Sequence, residues 1–233
     1  MSLERGVRPL RPDELQPAAA MLARAFADDP LTRLLSPDPA RRDAKARWYF
    51  SAIARYGFAF GEVWTVGNVD GVAIWWAPEY VMPSEARAAY VGFDEGPSVL
   101  GIDVWERSLE VGWMVGEVHQ QSMSEPHWYL NILGVRPEYQ GQGLGGLLLS
   151  SMFERLDRER LPVYLDTGVA ANVAFYQRHG FRLTAQAEDA LHDVSVYGLR
   201  RDPPSASPHS RPVPDVAARW AQADARLLCG AGE

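Results

Sequence analysis

The chain has 233 residues, 47% of them hydrophobic, with a formal net charge of −7 and one cysteine, which supports a packed core in one domain or one domain with an appendage. The negative charge speaks against nonspecific nucleic-acid binding, the lone Cys229 forbids an intramolecular disulfide, and five scattered histidines offer no metal-ligand spacing, so neither nucleic acid nor metal is expected. The sequence has no apolar run of about 18 residues and "MSLERGVRPL" lacks the apolar stretch of a signal peptide, so no membrane partner is expected and a reducing cytoplasm is the expected compartment.

In chain order, "GVRPLR" reads as a short first strand. Pro12 to Phe26 places Leu15, Ala18, Ala19, Leu22 and Phe26 at helical spacing, and Pro30 ends that pattern at Asp29. Pro39 and Ala40 open a second helix, to about Tyr56. Residues 62–78, "EVWTVGNVDGVAIWWAP", read as a hairpin turning at Asp70-Gly71. Ser84 to Tyr90 and Val99 to Gln121 are expected helices, separated by breaks at Gly92, Gly96 and Pro97. His127 to Val135 is the clearest strand. Leu144 to Arg160 is an amphipathic helix with Leu148, Leu149, Met152, Phe153 and Leu156 on one stripe. "VYLDT" is a strand again. Asn172 caps a short helix to His179, with Gly180 suited to its left-handed end, and "FRLTAQAE" and "HDVSVYGLR" form a last strand pair. Residues 1–201 make one domain. Residues 202–215 read as a Pro-rich extended linker and 216–233 as a helical tail that docks, mediates a homodimer or stays mobile.

The segment "GVRPEYQGQGLGGLLL" holds five glycines between Gly134 and Gly146 and then turns apolar. A strand, glycines and then a helix present unpaired backbone N–H groups and a partial positive charge, which is an anion site. Gly141, Gly143 and Gly146 fit G-x-G-x-x-G, and Asp166 follows at the distance of a ribose-binding acid. Against a dinucleotide fold, Arg136 to Gln140 separate the strand from the glycines, and too little chain follows for further βαβ units. No Gly-Lys-Ser/Thr follows, so the loop is not a Walker loop. A tight loop whose glycines serve packing alone is the plain alternative.

Gln140-Gly141-Gln142-Gly143-Leu144-Gly145 resembles the Q/R-x-x-G-x-G/A signature of the GNAT superfamily of acyl-CoA N-acyltransferases. "LGVRPEYQ" before it and "NVAFYQRHGF" after it look like companion motifs. "AFADDP" and "EPHWYLNILGV" look most like the puromycin N-acetyltransferase branch. The likeness spans roughly residues 5 to 200 and is strongest from His127 to Phe181. It implies an α/β (α+β) fold with a mixed, mostly antiparallel, splayed sheet of about six to seven strands flanked by helices. It implies acetyl-CoA as cosubstrate, with pantetheine on the backbone of Leu133, Gly134 and Val135 in a gap between "HWYLNILGV" and "VYLDT". The diphosphate would lie on amides from Gln140, Gly141, Gln142, Gly143, Leu144, Gly145 and Gly146, and Asn172 would touch the pantetheine arm. Arg136 either adds a charge near the nucleotide or is an ordinary surface arginine.

Tyr176 lies four positions after Asn172, so its phenol can point back toward the helix start and protonate a departing thiolate; otherwise it is a core aromatic, and the resemblance favours the catalytic role. An amine nucleophile must lose a proton. Glu125 and His127, at the start of the key strand, are base candidates, with Asp28 and Asp29 behind them; a strand-edge carboxylate and a half-buried histidine are the plain readings. A backbone N–H such as that of Leu133 would steady the oxyanion. Residues 92–125 carry seven acids against Arg107, together with Trp105 and Trp113, which suits a small cationic or aromatic amine, a metabolite or antibiotic, unless they form a solvated helix face. A CoA-binding sensor without turnover, a protein or peptide amine acetyltransferase and, more remotely, a dinucleotide oxidoreductase are the competing functions.

Overall fold

A computed structural model describes residues 6–36 and 38–204. The linker beyond residue 204 and the helical tail expected at 216–233 lie outside the described residues. The strands are β1 (Val7–Pro9), β2 (Gly61–Val66), β3 (Gly71–Trp76), β4 (Trp128–Val135), β5 (Val163–Thr167), β6 (Arg182–Asp189) and β7 (Val194–Arg201). The helices are α1 (Leu15–Ala25), α2 (Pro30–Leu34), α3 (Pro39–Phe60), α4 (Glu85–Tyr90), α5 (Gly96–Leu100), α6 (Ile102–Ser122), α7 (Leu144–Glu159) and α8 (Ala170–Arg178).

The strands form one seven-stranded sheet in the order β1-β2-β3-β4-β5-β7-β6. Every neighbouring pair is antiparallel except β4–β5, so the sheet is mixed and mostly antiparallel, as the resemblance implies. Strand β3 is buried along its whole length, and its period of two sorts the core. Val72, Ile74 and Trp76 join one cluster with α1 and α3, while Ala73 and Trp75 join a second with Leu148, Leu149, Met152 and Leu156 of α7. Helix α6 lies over the far end of the first face, where Val111 and Val118 pack on Val194 and Val196 of β7.

The hairpin turn falls earlier than its Asp-Gly signal. It spans residues 67–70, Gly67 and Val69 adopt positive φ of 61° and 56°, and Gly71 already belongs to β3. The Asp70 carboxylate accepts from the Asn68 N–H, an Asx contact that stabilises the turn from its far side. Helix α3 runs past Tyr56 to Phe60, because Ile53, Tyr56 and Phe60 continue the buried stripe against Val63, Ile74 and Trp76.

Candidate active site

Strands β4 and β5 pair at only two positions, Trp128↔Val163 and Tyr129↔Tyr164. Beyond them β4 runs on to Val135 and β5 to Thr167 with no further pairing between the two. The cause is visible on the other edge of β4. Ile74 faces Ile132 but Trp75 faces Leu130, so Asn131 is an extra residue, a β-bulge. The bulge also resets the side-chain phase: Trp128 and Leu130 join the α7 cluster before it, Leu133 and Val135 after it. A bulged strand bends and twists more strongly, and here it turns away from β5 immediately after the last shared pair. The result is a splay whose edges carry backbone groups seeking partners. Asn131 adds a buried Oδ1 with no hydrogen-bond partner among the described residues.

The glycine loop lies at the end of β4. Gln140 donates from its side-chain amide to the Val135 carbonyl at 3.1 Å, and Gln142 to the Glu138 carbonyl at 3.1 Å, so both glutamines brace the loop. Gly141 (φ 72°) and Gly143 (φ 83°) are left-handed, and a Cβ built on either meets nothing within 4 Å. Gly143 is the N-cap of α7 and no side chain caps that helix, so its first-turn amides face outward. Gly145 and Gly146 have a different reason to be glycine. Their Cβ positions fall 3.3 Å from Phe175 Cζ and 2.7 Å from His179 Nε2, where α8 presses on α7. The open backbone therefore centres on Gly141–Gly143, and the last two glycines serve helix packing. Arg136 is committed elsewhere: its guanidinium reaches Asp70 at 3.6 Å and the Asn68 and Val69 carbonyls at the β2–β3 turn.

Tyr176 is buried on α8 in the α7 cluster, with Phe175 and Phe181 rings at 5.1 and 5.8 Å. Its hydroxyl makes no hydrogen bond among the described residues. Burial raises its pKa, with the charges of Asp166 and Asp29 adding to the shift. Asn172 does not cap α8. The N-cap is Val169, nearer the end of β5 than the sequence suggests, and Asn172 instead donates its side-chain amide to Thr167 Oγ1 at 3.1 Å, tying α8 to that strand end.

The structure does not bring Glu125 and His127 to the splay. Both precede Trp128, on the closed side of the β4–β5 pairing. Glu125 is ion-paired with Arg200, whose hydrogen bond holds the carboxyl down to about 2, which makes it a poor proton acceptor. His127 Nδ1 lies 2.6 Å from the Glu125 carbonyl, which can only accept, so in the neutral ring Nε2 is the acceptor. That nitrogen is filled by His119 Nε2 at 2.6 Å. Burial pushes the His119 ring down to about 3, so the pair is neutral at ordinary pH. His119, Glu125 and His127 line a cavity of about 430 Å³ with Met82 and Met123, apart from the splay. Asp28 is exposed and paired with Arg33 at 3.0 Å.

The acidic run divides. Asp103, Glu106, Glu110 and Glu117 are exposed on α6, Trp113 is 75% exposed, and Trp105 packs over Gly96 in the core margin. This stretch is mainly a solvated helix face.

The acids at the splay are others. Strand alternation puts Asp166 on the face of Tyr164, opposite Val163 and Leu165. The Tyr129 hydroxyl donates to Asp166 Oδ2 at 2.6 Å, just where β4 and β5 part. Asp166 is half-buried, and desolvation pushes its carboxyl up to about 6, opposed by the Tyr129 hydrogen bond and assisted by Asp29. Asp29 is the N-cap of α2, accepting from the Leu31 N–H at 2.9 Å and the Thr32 N–H at 3.3 Å. Burial raises it too, against those two amides. Tyr49 of α3, pushed up to about 12 by burial with Asp166 and Asp29 contributing, completes the cluster. Sequence reasoning reaches Asp166 only as a possible ribose ligand. The available signal is its phase within "VYLDT", an acid on the tyrosine side of a strand otherwise buried.

A short parallel pair that opens at a bulge, followed by an uncapped glycine-led helix, is the frame that the sequence resemblance implies. Residues 103–183 match the family described as an acetyltransferase (GNAT) domain. Over that stretch the chain is similar to GNAT acetyltransferases, and its fold is the GNAT fold. An uncharacterized N-acetyltransferase of Schizosaccharomyces pombe is 26% identical over 205 residues, covering 79% of this chain and 73% of that protein. Among solved GNAT-like structures, a Corynebacterium glutamicum protein described as histone acetyltransferase HPA2 and related acetyltransferase superposes with a TM-score of 0.62 at 20% identity, covering 88% of this chain and 99% of its own. A Drosophila melanogaster polyamine N-acetyltransferase superposes with a TM-score of 0.55 at 20% identity, covering 85% and 100%. Among the described residues, no helix is long and apolar enough to cross a membrane, and no three metal-ligating side chains cluster.

Proposed function

We propose that this N-acetyltransferase-family protein moves an acetyl group from acetyl-CoA directly to the nitrogen of a small cationic or aromatic amine, a metabolite or antibiotic. The observation that carries the reading is the two-residue β4–β5 pairing that opens beside Gly141 and Gly143. The residues present fit the cosubstrate. A splay offers unpaired strand groups to pantetheine amides, on the backbone of Leu133, Gly134 and Val135, and the α7 N-terminus offers free N–H groups and positive potential to a diphosphate. Glycine at Gly141 and Gly143 keeps that approach clear of side chains. Asn172 stands at the start of α8 beside the arm, and Tyr176 is the acid that protonates the leaving thiolate.

The amine class rests on charge. Asp166 and Asp29 supply negative potential at the splay, and Tyr49 and Tyr129 supply aromatic walls. The Drosophila protein of similar fold catalyses the formation of N-acetylagmatine, a product of a small cationic amine.

Thiol release from acetyl-CoA with a panel of primary amines tests the reading. Turnover with small amines is expected, while binding without thiol release identifies a sensor and transfer confined to protein lysines rejects the small-amine class. In Tyr176→Phe, kcat should fall about 100-fold while acetyl-CoA affinity measured by calorimetry stays within about twofold. Unchanged kcat removes Tyr176 from the chemistry.

A further inference from the structure

Helices α1 and α3 and the residues Tyr129, Tyr164 and Asp166 occupy one face of the sheet, and α7, α8 and Tyr176 occupy the other. The splay is the aperture between them. On the first face one oxygen of Asp166 is fixed by Tyr129, and the other accepts no hydrogen bond among the described residues. Asp166 makes no ion pair among them either. The groups that interact with it are Tyr129 from β4, Tyr164 from its own strand, Tyr49 from α3, Asp29 at the start of α2 and, from the opposite face, Tyr176 of α8; His119 of α6 stacks on Tyr164 at 4.0 Å. The phenols are pushed up and His119 down, so all of these except Asp29 stay uncharged near neutral pH and no resident cation balances Asp166. Asn131, whose side chain lies beside the Tyr129 hydroxyl, contributes a second unfilled acceptor at the bulge.

We propose that Asp166 seats the acceptor's ammonium group and takes its proton, with Tyr129 as the positioning residue and the Asn131 Oδ1 as a second acceptor for the same nitrogen. The assignment rests on the acetyl-transfer reading above and goes further by naming the base and the face from which the amine arrives. The ammonium gives a proton to Asp166, which releases it to solvent. The neutral nitrogen attacks the thioester carbon, the C–N bond forms, and the C–S bond breaks with its electron pair on sulfur. The nitrogen loses a second proton to the now ionised Asp166, which passes it to solvent, and Tyr176 gives one proton to the thiolate and recovers one from solvent. The sum is ammonium and acetyl thioester giving amide, thiol and one released proton. Burial fits Asp166 for this role, because a carboxyl that titrates near 6 is ionised at pH 7 yet more basic than an exposed aspartate.

Two measurements test the proposal. The Asp166 carboxyl is followed by isotope-edited NMR in protein without acetyl-CoA, titrated with agmatine and with phenethylamine. At least one of these amines should lower the Asp166 midpoint by about one unit, because an adjacent ammonium favours the carboxylate; no displacement by either overturns the seat. The second is the pH profile of kcat/KM for the best amine. Wild type should show an ascending limb near pH 6, Asp166→Asn should lose the limb and about 100-fold or more in rate, and Tyr129→Phe should move the limb to higher pH because it removes the hydrogen bond that favours ionised Asp166. A limb that survives in Asp166→Asn overturns the proton-acceptor role while leaving acetyl transfer intact. Absence of thiol release in wild type with every amine overturns both.

Discussion

Asp166 is a carboxylate that the fold holds at a cost. An unfolded aspartate titrates near 3.9, whereas desolvation moves Asp166 up to about 6, so the folded chain binds that proton more tightly. Stability from this group is therefore lost as pH rises through the window from about 4 to 6, and the penalty stands in full above it. Asp166→Asn keeps an oxygen to accept from Tyr129 and removes the charge. Urea denaturation should find the variant more stable than wild type at pH 7 by on the order of 2 kcal/mol, with the difference vanishing near pH 4. A variant less stable at pH 7 would show that the carboxylate is well solvated. At this scale the sequence was legible where one residue type admits one job. Gly141 and Gly143, both left-handed with open space in front of them, are such cases. His127 was not, because a histidine's availability depends on which nitrogens its neighbours occupy, here the Glu125 carbonyl and His119.

Helix α7 separates two uses of glycine within four residues. Gly143 holds φ at 83° with open space in front of it, so Gly143→Ala costs about 1–2 kcal/mol of backbone strain and disturbs the amides nearest the proposed diphosphate site. Gly146→Ala would put a methyl 2.7 Å from His179 Nε2, on a ring whose Nδ1 is held by the Phe175 carbonyl at 2.9 Å. Calorimetry and urea denaturation together should show Gly143→Ala losing CoA affinity beyond its loss of stability. Gly146→Ala should lose about 1–3 kcal/mol of stability and also kcat, since α8 carries Tyr176. The reverse pattern would place the diphosphate at the later glycines. Most elements were visible in the sequence because hydrophobic period and proline and glycine punctuation are local. The β2–β3 turn was displaced from its Asp-Gly signal because Val69, a residue poorly suited to positive φ, is held there by its burial in the core.

Over the whole molecule, the proposed roles fall on the two faces of one sheet, and CoA bound as proposed would join β4, β5, α7 and α8 in a single contact. A ligand that binds only the folded chain stabilises it by mass action, about 2.7 kcal/mol at 100 times Kd. For a chain of this size, thermal unfolding at that CoA concentration should therefore rise by roughly 5–10 °C. An unchanged midpoint would contradict binding at the splay. The same architecture makes Gly134 intolerant: a Cβ there falls 2.5 Å from Leu22 Cδ2 and 2.9 Å from Phe26 Cε2, so α1 lies directly on the strand that borders the splay.

The sequence by itself determined the alternation of helices and strands, the glycine-led start of the helix after β4 and the resemblance from His127 to Phe181, because each depends on local spacing and backbone freedom. Tertiary structure decided where the sheet opens, since the Asn131 bulge is defined only by the register of β3 against β4. It also decided which acid faces the opening. Glu125 is neutralised by Arg200 from β7, while Asp166 meets Tyr129 across a strand gap 37 residues apart in the chain. Acidity and reach are set by neighbours in space, and those neighbours come from distant parts of the chain.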